Sequence, residues 1–168
     1  MKRIGLLSDT HSCWDDRYAL HFADCDEVWH AGDLGDSALL QRLEGIAPVF
    51  RGVRGNIDHG LVARRLPELL NFEIENVNVL MTHIAGYPGR WSPGFANLID
   101  RYKPHLVIAG HSHILKVMPD REHDLLYINP GAAGTQGWQK VRTLVRFTID
   151  GDNIRDLDVI ELAKQSLI

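Results

Sequence analysis

Apolar residues along this chain fall into two recurring patterns. Ile4–Leu7 is a short run without polar interruption, as expected of a strand covered on both faces. Beyond it, Trp14, Tyr18, Phe22 and Cys25 recur at helical spacing, which predicts a helix with one buried face. Glu27–Trp29 and Val49–Val53 predict two further strands. Between them Asp36 is placed to cap a helix carrying Leu39, Leu40 and Leu43, with Gly45 as its stop. Phe72–Ile74 and Val77–Met81 flank Glu75-Asn76 and read as a hairpin. Ser92-Pro93, an N-cap followed by proline at the first helical position, predicts a helix buried along Phe95, Leu98, Ile99 and Tyr102. Leu106–Ala109 is another buried strand. From Leu115 onward the pattern is β-like, through Leu115–Met118, Leu125–Ile128, Thr143–Ile149 and Ile154–Ile160.

This alternation of strands and helices implies an α/β or layered α/β sandwich. No repeat, linker or low-complexity tract interrupts it, so residues 1–168 are expected to form a single domain. Hydrophobic residues make up 45% and charged residues 24% of the chain, an ordinary globular balance that argues against disorder. The formal net charge is −4, and no Lys/Arg run marks an extended nucleic-acid surface. An anionic substrate stays open, because bound metal ions can reverse a local field. No apolar stretch approaches the roughly 20 residues needed to span a bilayer. The basic-then-apolar start, Met1-Lys2-Arg3-Ile4, gives way to Ser8-Asp9 too early for a leader sequence and reads as a buried first strand. Cys13 and Cys25 form neither a disulfide framework nor a CxxC motif, which favours a reducing, cytoplasmic setting.

Five short motifs place oxygen or imidazole donors just after expected strands: Asp9-Thr10-His11, Gly32-Asp33, Gly55-Asn56-Ile57-Asp58, Thr82-His83 and Gly110-His111-Ser112-His113. In open α/β sheets, loops at the carboxyl ends of strands converge, so donors from position 9 to position 113 can meet. The seven donors suffice for two ions. Two ions about 3.5–4 Å apart can bind both the attacking and the leaving side of a phosphoryl group. Two dications outweigh two carboxylates and one hydroxide, leaving positive charge for the phosphate oxygens. An all-N/O donor set suits Mn, Fe, Ni, Co or Zn without choosing among them.

At these residues the chain resembles the calcineurin-like metallophosphoesterase superfamily, in its small bacterial and archaeal phosphodiesterase branch. The resemblance spans residues 9 to 113, and Asn129-Pro130-Gly131 resembles a further turn of that branch. It implies an α/β/β/α sandwich of two mixed sheets flanked by helices. It also implies a site with Asp9, His11 and His113 on one divalent ion, Asp33 bridging, and Asn56, His83 and His111 on the second. Manganese is the first expectation for both ions. The implied reaction is hydrolysis of a small phosphate ester by in-line attack of a metal-bound hydroxide, with Asp33, Asn56 and His83 at its centre. A trafficking subunit in the same superfamily uses the architecture for protein contacts, so a non-enzymatic scaffold is one alternative and a nuclease is another.

Two positions depart from the family pattern. Larger relatives carry histidine after the asparagine, where Ile57 and Asp58 stand here, and this favours a diesterase over a monoesterase. Glycine commonly follows the fourth motif's histidine, where this chain has Ile84, so the neighbouring substrate wall is expected to differ. Outside the motifs, His30 is either an orienting partner or a satisfied strand-end histidine. His21 falls on the apolar face of the first helix and reads as structural. Asp58 either orients a ligand or closes a turn. The loop Ala85-Gly86-Tyr87-Pro88-Gly89-Arg90-Trp91 offers Tyr87 or Trp91 to a substrate ring and Arg90 to phosphate, although Trp91 can equally pack at the helix start. Arg54 is a weaker phosphate candidate. The strand-rich tail could pair in a homo-oligomer.

Overall fold

A computed structural model describes residues 1–163; residues 164–168, which the expected domain includes, lie outside the described part. Two five-stranded sheets carry the fold. The first runs β12 (Asn153–Ala163), β11 (Val141–Asp150), β1 (Lys2–Leu7), β2 (Glu27–His30) and β3 (Val49–Gly52). Its strands β1, β2 and β3 are parallel, while β11 lies antiparallel to β1. The second runs β4 (Leu69–Ile74), β5 (Val77–Thr82), β8 (Leu106–Ile108), β10 (Leu125–Pro130) and β9 (Leu115–Asp120). Here β5, β8 and β10 are parallel, with antiparallel strands at both edges. A ribbon of β6 (Gly86–Tyr87) and β7 (Arg90–Trp91) stands apart.

Alternation along each strand assigns its side chains to layers. Ile4 and Leu6 of β1 and Trp29 of β2 pack between the sheets against Val79, Met81, Ile108 and Ile128. Leu7 and Val28 point the other way, onto helices α1 (Asp16–His21), α2 (Ser37–Glu44) and α3 (Gly60–Arg65) through Tyr18, Phe22, Leu40, Leu43 and Val62. On the far side, Leu80 and Val107 meet Phe95 and Ile99 of α4 (Phe95–Tyr102). The strands are apolar without interruption because both of their faces are covered. Each fully buried aliphatic side chain contributes about 1.5–3 kcal/mol relative to exposure. The result is the α/β/β/α sandwich of two mixed sheets.

Two local readings change. Trp14 and Cys25 flank α1 rather than lying on it, because Asp15 caps the helix by accepting from the Arg17 N–H. Cys25 follows in a turn whose N–H donates to the Phe22 carbonyl. The Ser92-Pro93 start belongs to a turn and not to α4. The Ser92 N–H donates to the Ala85 carbonyl, extending the β6–β7 ribbon, and the Phe95 N–H returns to the Ser92 carbonyl. Gly94 then takes φ 82°, ψ −13°, the geometry of the third residue of a type II turn with proline in second place. The two-residue ribbon strands and α3 are too short for periodicity to reveal.

Candidate metal centre

All seven donor residues lie beyond the carboxyl ends of parallel strands. Asp9 and His11 follow β1, Asp33 follows β2, Asn56 follows β3, His83 follows β5, and His111 and His113 follow β8. Backbone hydrogen bonds stitch these loops together: Asp9 N–H to Gly32 O and His11 N–H to Asp33 O at 3.0 Å, and Gly110 N–H to His83 O at 3.0 Å. The glycines of two motifs leave room for donors of two others. A Cβ on Gly55 would stand 2.1 Å from Asp33 Oδ1, and one on Gly110 would stand 2.2 Å from Ser8 Oγ and 2.8 Å from Asp9 Oδ2.

Five of the donors are held in the left-handed region: Asp9 (φ 55°), His11 (45°), Asp33 (55°), His111 (74°) and His113 (61°). That region is uncommon for residues with a Cβ, costs free energy, and clusters at functional sites. Here the interlocked loops hold all five in place.

The side chains converge. His83 Nε2 lies 3.2 Å from Asp33 Oδ2 and 3.8 Å from Asp9 Oδ1. His113 Nε2 is 3.2 Å from Asp9 Oδ1, and His11 Nε2 is 3.5 Å from Asp33 Oδ2. These approaches are close without the direction of hydrogen bonds, and Asp9 Oδ1, His11 Nε2 and His83 Nε2 are buried with no partner. An unpartnered buried acceptor costs about 1–3 kcal/mol, so three together need an occupant. Donor atoms of Asp9, His11 and His113 all lie within 4.8 Å of one another, as do those of Asp33, His83 and His111. Two neighbouring oxygen–imidazole groups of this kind fit a pair of divalent ions.

The surrounding bonds fix how each imidazole presents itself. His83 Nδ1–H donates to the Ala31 carbonyl at 2.7 Å, which leaves the Nε2 lone pair facing the carboxylates. Gln139 donates its amide N–H to the Gly134 and Gln136 carbonyls, so its Oε1 accepts from His113 Nδ1–H at 3.0 Å. His111 Nδ1 pairs with Asn56 Oδ1 at 3.1 Å. Asp9 Oδ2 accepts from the Ser8 hydroxyl at 2.6 Å and the His111 N–H at 3.1 Å, and Asp33 Oδ1 accepts from the Ile57 N–H at 3.1 Å. Burial pushes the Asp9 carboxyl up, but His113, His83 and the Ser8 hydroxyl together hold it below its ordinary value. Burial likewise acts on Asp33, and His83, the Ile57 N–H and His11 reverse it. His83 is pulled down by burial and raised further by Asp33 and Asp9; Asp9 raises His113. The carboxylates are thus kept ionised.

The residues left open by the sequence resolve as braces. His30 is fully buried, and burial pushes its pKa down to about 4. Its Nδ1 accepts from the Gly32 N–H and its Nε2–H donates to Thr10 Oγ1, which in turn donates to the Leu34 carbonyl. A neutral His30 therefore ties the first two loops through the Thr10 hydroxyl and the Gly32 N–H and makes no hydrogen bond to a donor side chain of the centre. Asp58 accepts from the Leu34, Gly35 and Gly55 N–H groups, joining the second loop to the third. Asn129 donates to the Gly110 carbonyl and Ser112 Oγ. Arg54 donates to the Ala63 and Leu66 carbonyls. His21 is half-buried and its carbonyl accepts from Arg146.

Beside the centre lies a cavity of about 200 Å³ whose lining includes Tyr87 and His111. Arg90 is exposed and does not line it. Lys116 does, with Nζ 3.8 Å above the Tyr87 ring. Trp91 packs against Phe95 and Tyr127, with ring centroids 5.3 and 5.7 Å away, and so serves the α4 layer. Sequence reasoning missed Gln139 and Lys116, which lie outside every motif.

Residues 1–152 match the model of the calcineurin-like phosphoesterase superfamily domain. A probable metallophosphoesterase of Methanothermobacter thermautotrophicus is 31% identical over 165 residues, covering 94% of this chain and 91% of that protein. Among solved structures, a novel archaeal phosphodiesterase superposes with a TM-score of 0.76 at 21% identity, covering 95% and 99% of the two chains. Chaetomium thermophilum Vps29 does so at 0.74 and 16% identity, covering 96% and 97%. With the family pattern matched along nearly its whole length, this chain belongs to the calcineurin-like phosphoesterase superfamily.

Proposed function

We propose that the chain is a single-domain, metal-dependent phosphodiesterase acting on small phosphate esters in the reducing setting of the cytoplasm. The observation that carries this reading is the convergence of three buried, unpartnered donor atoms, of Asp9 and His11 after β1 and of His83 after β5. Asp9, His11 and His113 would hold one divalent ion and Asn56, His83 and His111 a second, with Asp33 between them. Manganese is the first choice, and nickel, iron, cobalt or zinc suit the same donors. Such ions supply Lewis-acid polarisation of a phosphoryl oxygen and lower the pKa of water at the site.

The chain's own groups set the rest. Asp33 and Asp9 stay ionised through their imidazole neighbours. His83 is locked with Nε2 inward by the Ala31 carbonyl. The Asn56 amide, tied to His111, is placed to position phosphate. Ile57 offers no proton to a departing alkoxide, so the favoured substrates are diesters with an acidic leaving group. The likeness to an archaeal phosphodiesterase structure supports this choice. The Vps29 likeness favours a second reading, a protein-interaction scaffold on the same fold.

Turnover of bis(p-nitrophenyl) phosphate with added Mn²⁺, and its loss in chelator, tests the first reading against the second. Asp33→Asn is expected to lower kcat/KM roughly 10³-fold, about 4 kcal/mol of barrier. Metal-loaded protein without turnover leaves the scaffold, and an equally active Asp33→Asn variant overturns the assigned metal centre.

A further inference from the structure

Two cavities open beside the centre, and Ile84 lines both. One, of about 200 Å³, is bounded by Ile84, Ala85, Tyr87, Ile114 and Tyr127, with His111 at its inner edge. The other, of about 410 Å³, is bounded by Arg54, Glu68, Thr82 and Ile84, with Asn56 and His83 at its inner edge. Each therefore reaches a donor assigned above to the metal pair. Ile84 follows His83 directly and is 46% exposed, so its side chain stands as a partition between them. A glycine at this position, as the family resemblance implies, has no side chain to divide the space.

We infer that the substrate is a diester with two unlike arms, seated on opposite sides of Ile84: an uncharged aromatic arm in the Tyr87 cavity and a polar, hydroxylated arm in the Arg54–Glu68 cavity. This rests on the phosphodiesterase reading. The smaller cavity is below the roughly 300–1,000 Å³ of sites for drug-sized ligands, which limits it to one ring system. Its walls are aliphatic and aromatic, and no carboxylate lines it. Lys116, the cation among its lining residues, lies 3.8 Å from the Tyr87 ring centroid and stiffens that wall as a cation–π pair. Rings prefer such aromatic walls by offset or edge contacts. The larger cavity also has aliphatic walls, from Leu69, Ile84 and Leu98, but adds the charged Arg54 and Glu68 and the Thr82 hydroxyl. Arg54 is tied to two carbonyls and lies 3.9 Å from Glu68, so hydrogen-bonding groups of both signs face an incoming hydroxyl.

Competition against bis(p-nitrophenyl) phosphate turnover tests the assignment, using methyl phenyl phosphate and dimethyl phosphate as inhibitors. Methyl phenyl phosphate is expected to inhibit roughly tenfold better in the wild type, the upper range for an aromatic contact. Tyr87→Ala and, independently, Ile84→Gly are expected to cut that preference to about twofold or less. A second readout uses metal-free, ¹⁵N-labelled protein titrated with methyl phenyl phosphate. Amide shifts are expected at Tyr87, Ser112, Ile114 and Lys116, with Arg54 and Glu68 unmoved. Turnover with equal inhibition by both compounds overturns this inference and leaves the hydrolase reading standing. If no diester is turned over, the hydrolase reading falls, and the amide shifts alone decide whether the aromatic berth exists.

Discussion

Two clusters of charge are buried in this molecule, and they are built on opposite terms. On the helix side of the first sheet, Arg142 is 1% exposed, yet every arm of its guanidinium is used. Nε donates to the Ala133 carbonyl at 2.8 Å, Nη1 to Asp15 at 3.0 Å and Nη2 to the Tyr18 hydroxyl at 3.1 Å. Tyr18 itself donates to Ala133 at 2.7 Å. Around Asp9 and Asp33, by contrast, carboxylates and imidazoles gather at similar depth and three of their atoms have no partner. Buried charge is tolerated when it is paired and costly when it is not. The closed network pins helix α1 to the end of β11, whereas the open one retains unmet bonding capacity that divalent ions can fill.

Breaking each cluster should therefore give opposite phenotypes. The largest effect is expected at the open one: Asp33→Asn removes about three orders of magnitude of diester turnover while lowering the unfolding midpoint of the metal-free protein only slightly, since it removes a carboxylate that His83 and His11 keep ionised. At the closed one, Arg142→Leu is expected to cost about 3 kcal/mol in urea unfolding, because it removes three buried hydrogen bonds at about 1 kcal/mol each, although Tyr18 and Ala133 keep their bond to each other. A variant that unfolds like the wild type would show the network to be ornamental. Gln139→Leu frees the His113 ring from its acceptor. It is expected to weaken Mn²⁺ binding by roughly 10- to 100-fold in calorimetry, with little change in fold stability.

The smallest effect concerns acid. Hydrogen bonds from Arg17, and then Arg142, hold the Asp15 carboxyl well below its ordinary value of 3.8. A carboxylate depressed in the folded state contributes stability that is full above the unfolded pKa and is lost as pH falls through the folded one. The wild type should therefore exceed Asp15→Asn in stability at neutral pH, and the gap should narrow as pH drops below about 4. A gap that widens in acid would reverse the assignment.

The two clusters also differ in how far the sequence announced them. The open site was legible because its donors sit beside glycines in short motifs, each after an apolar run such as Ile4–Leu7 or Leu106–Ala109. The layering was legible for the same reason, as doubly covered strands leave no polar face. The closed network left no trace: Asp15, Tyr18 and Arg142 are 127 positions apart at their extremes, with no motif around any of them. Gln139 was hidden likewise, since it acts through two carbonyls and one ring. Ser92-Pro93 misled because proline suits both a helix start and a turn, and only the pairing of Ser92 with Ala85 decides between them. Tyr87 and Ile84 drew notice through their position after a motif histidine, but the smaller cavity they bound is walled only once β9 delivers Lys116.

The order of strands in the first sheet has a bearing on biosynthesis. Asp9 leaves the end of β1, but β1 is flanked on one side by β11, whose residues emerge from the ribosome more than 130 positions later. The brace on His113 comes from Gln139, later still than the last donor. The braced arrangement of the whole set therefore waits for β11 and Gln139. An ion at this site would then meet the finished geometry, which rather than order of encounter would choose the occupant.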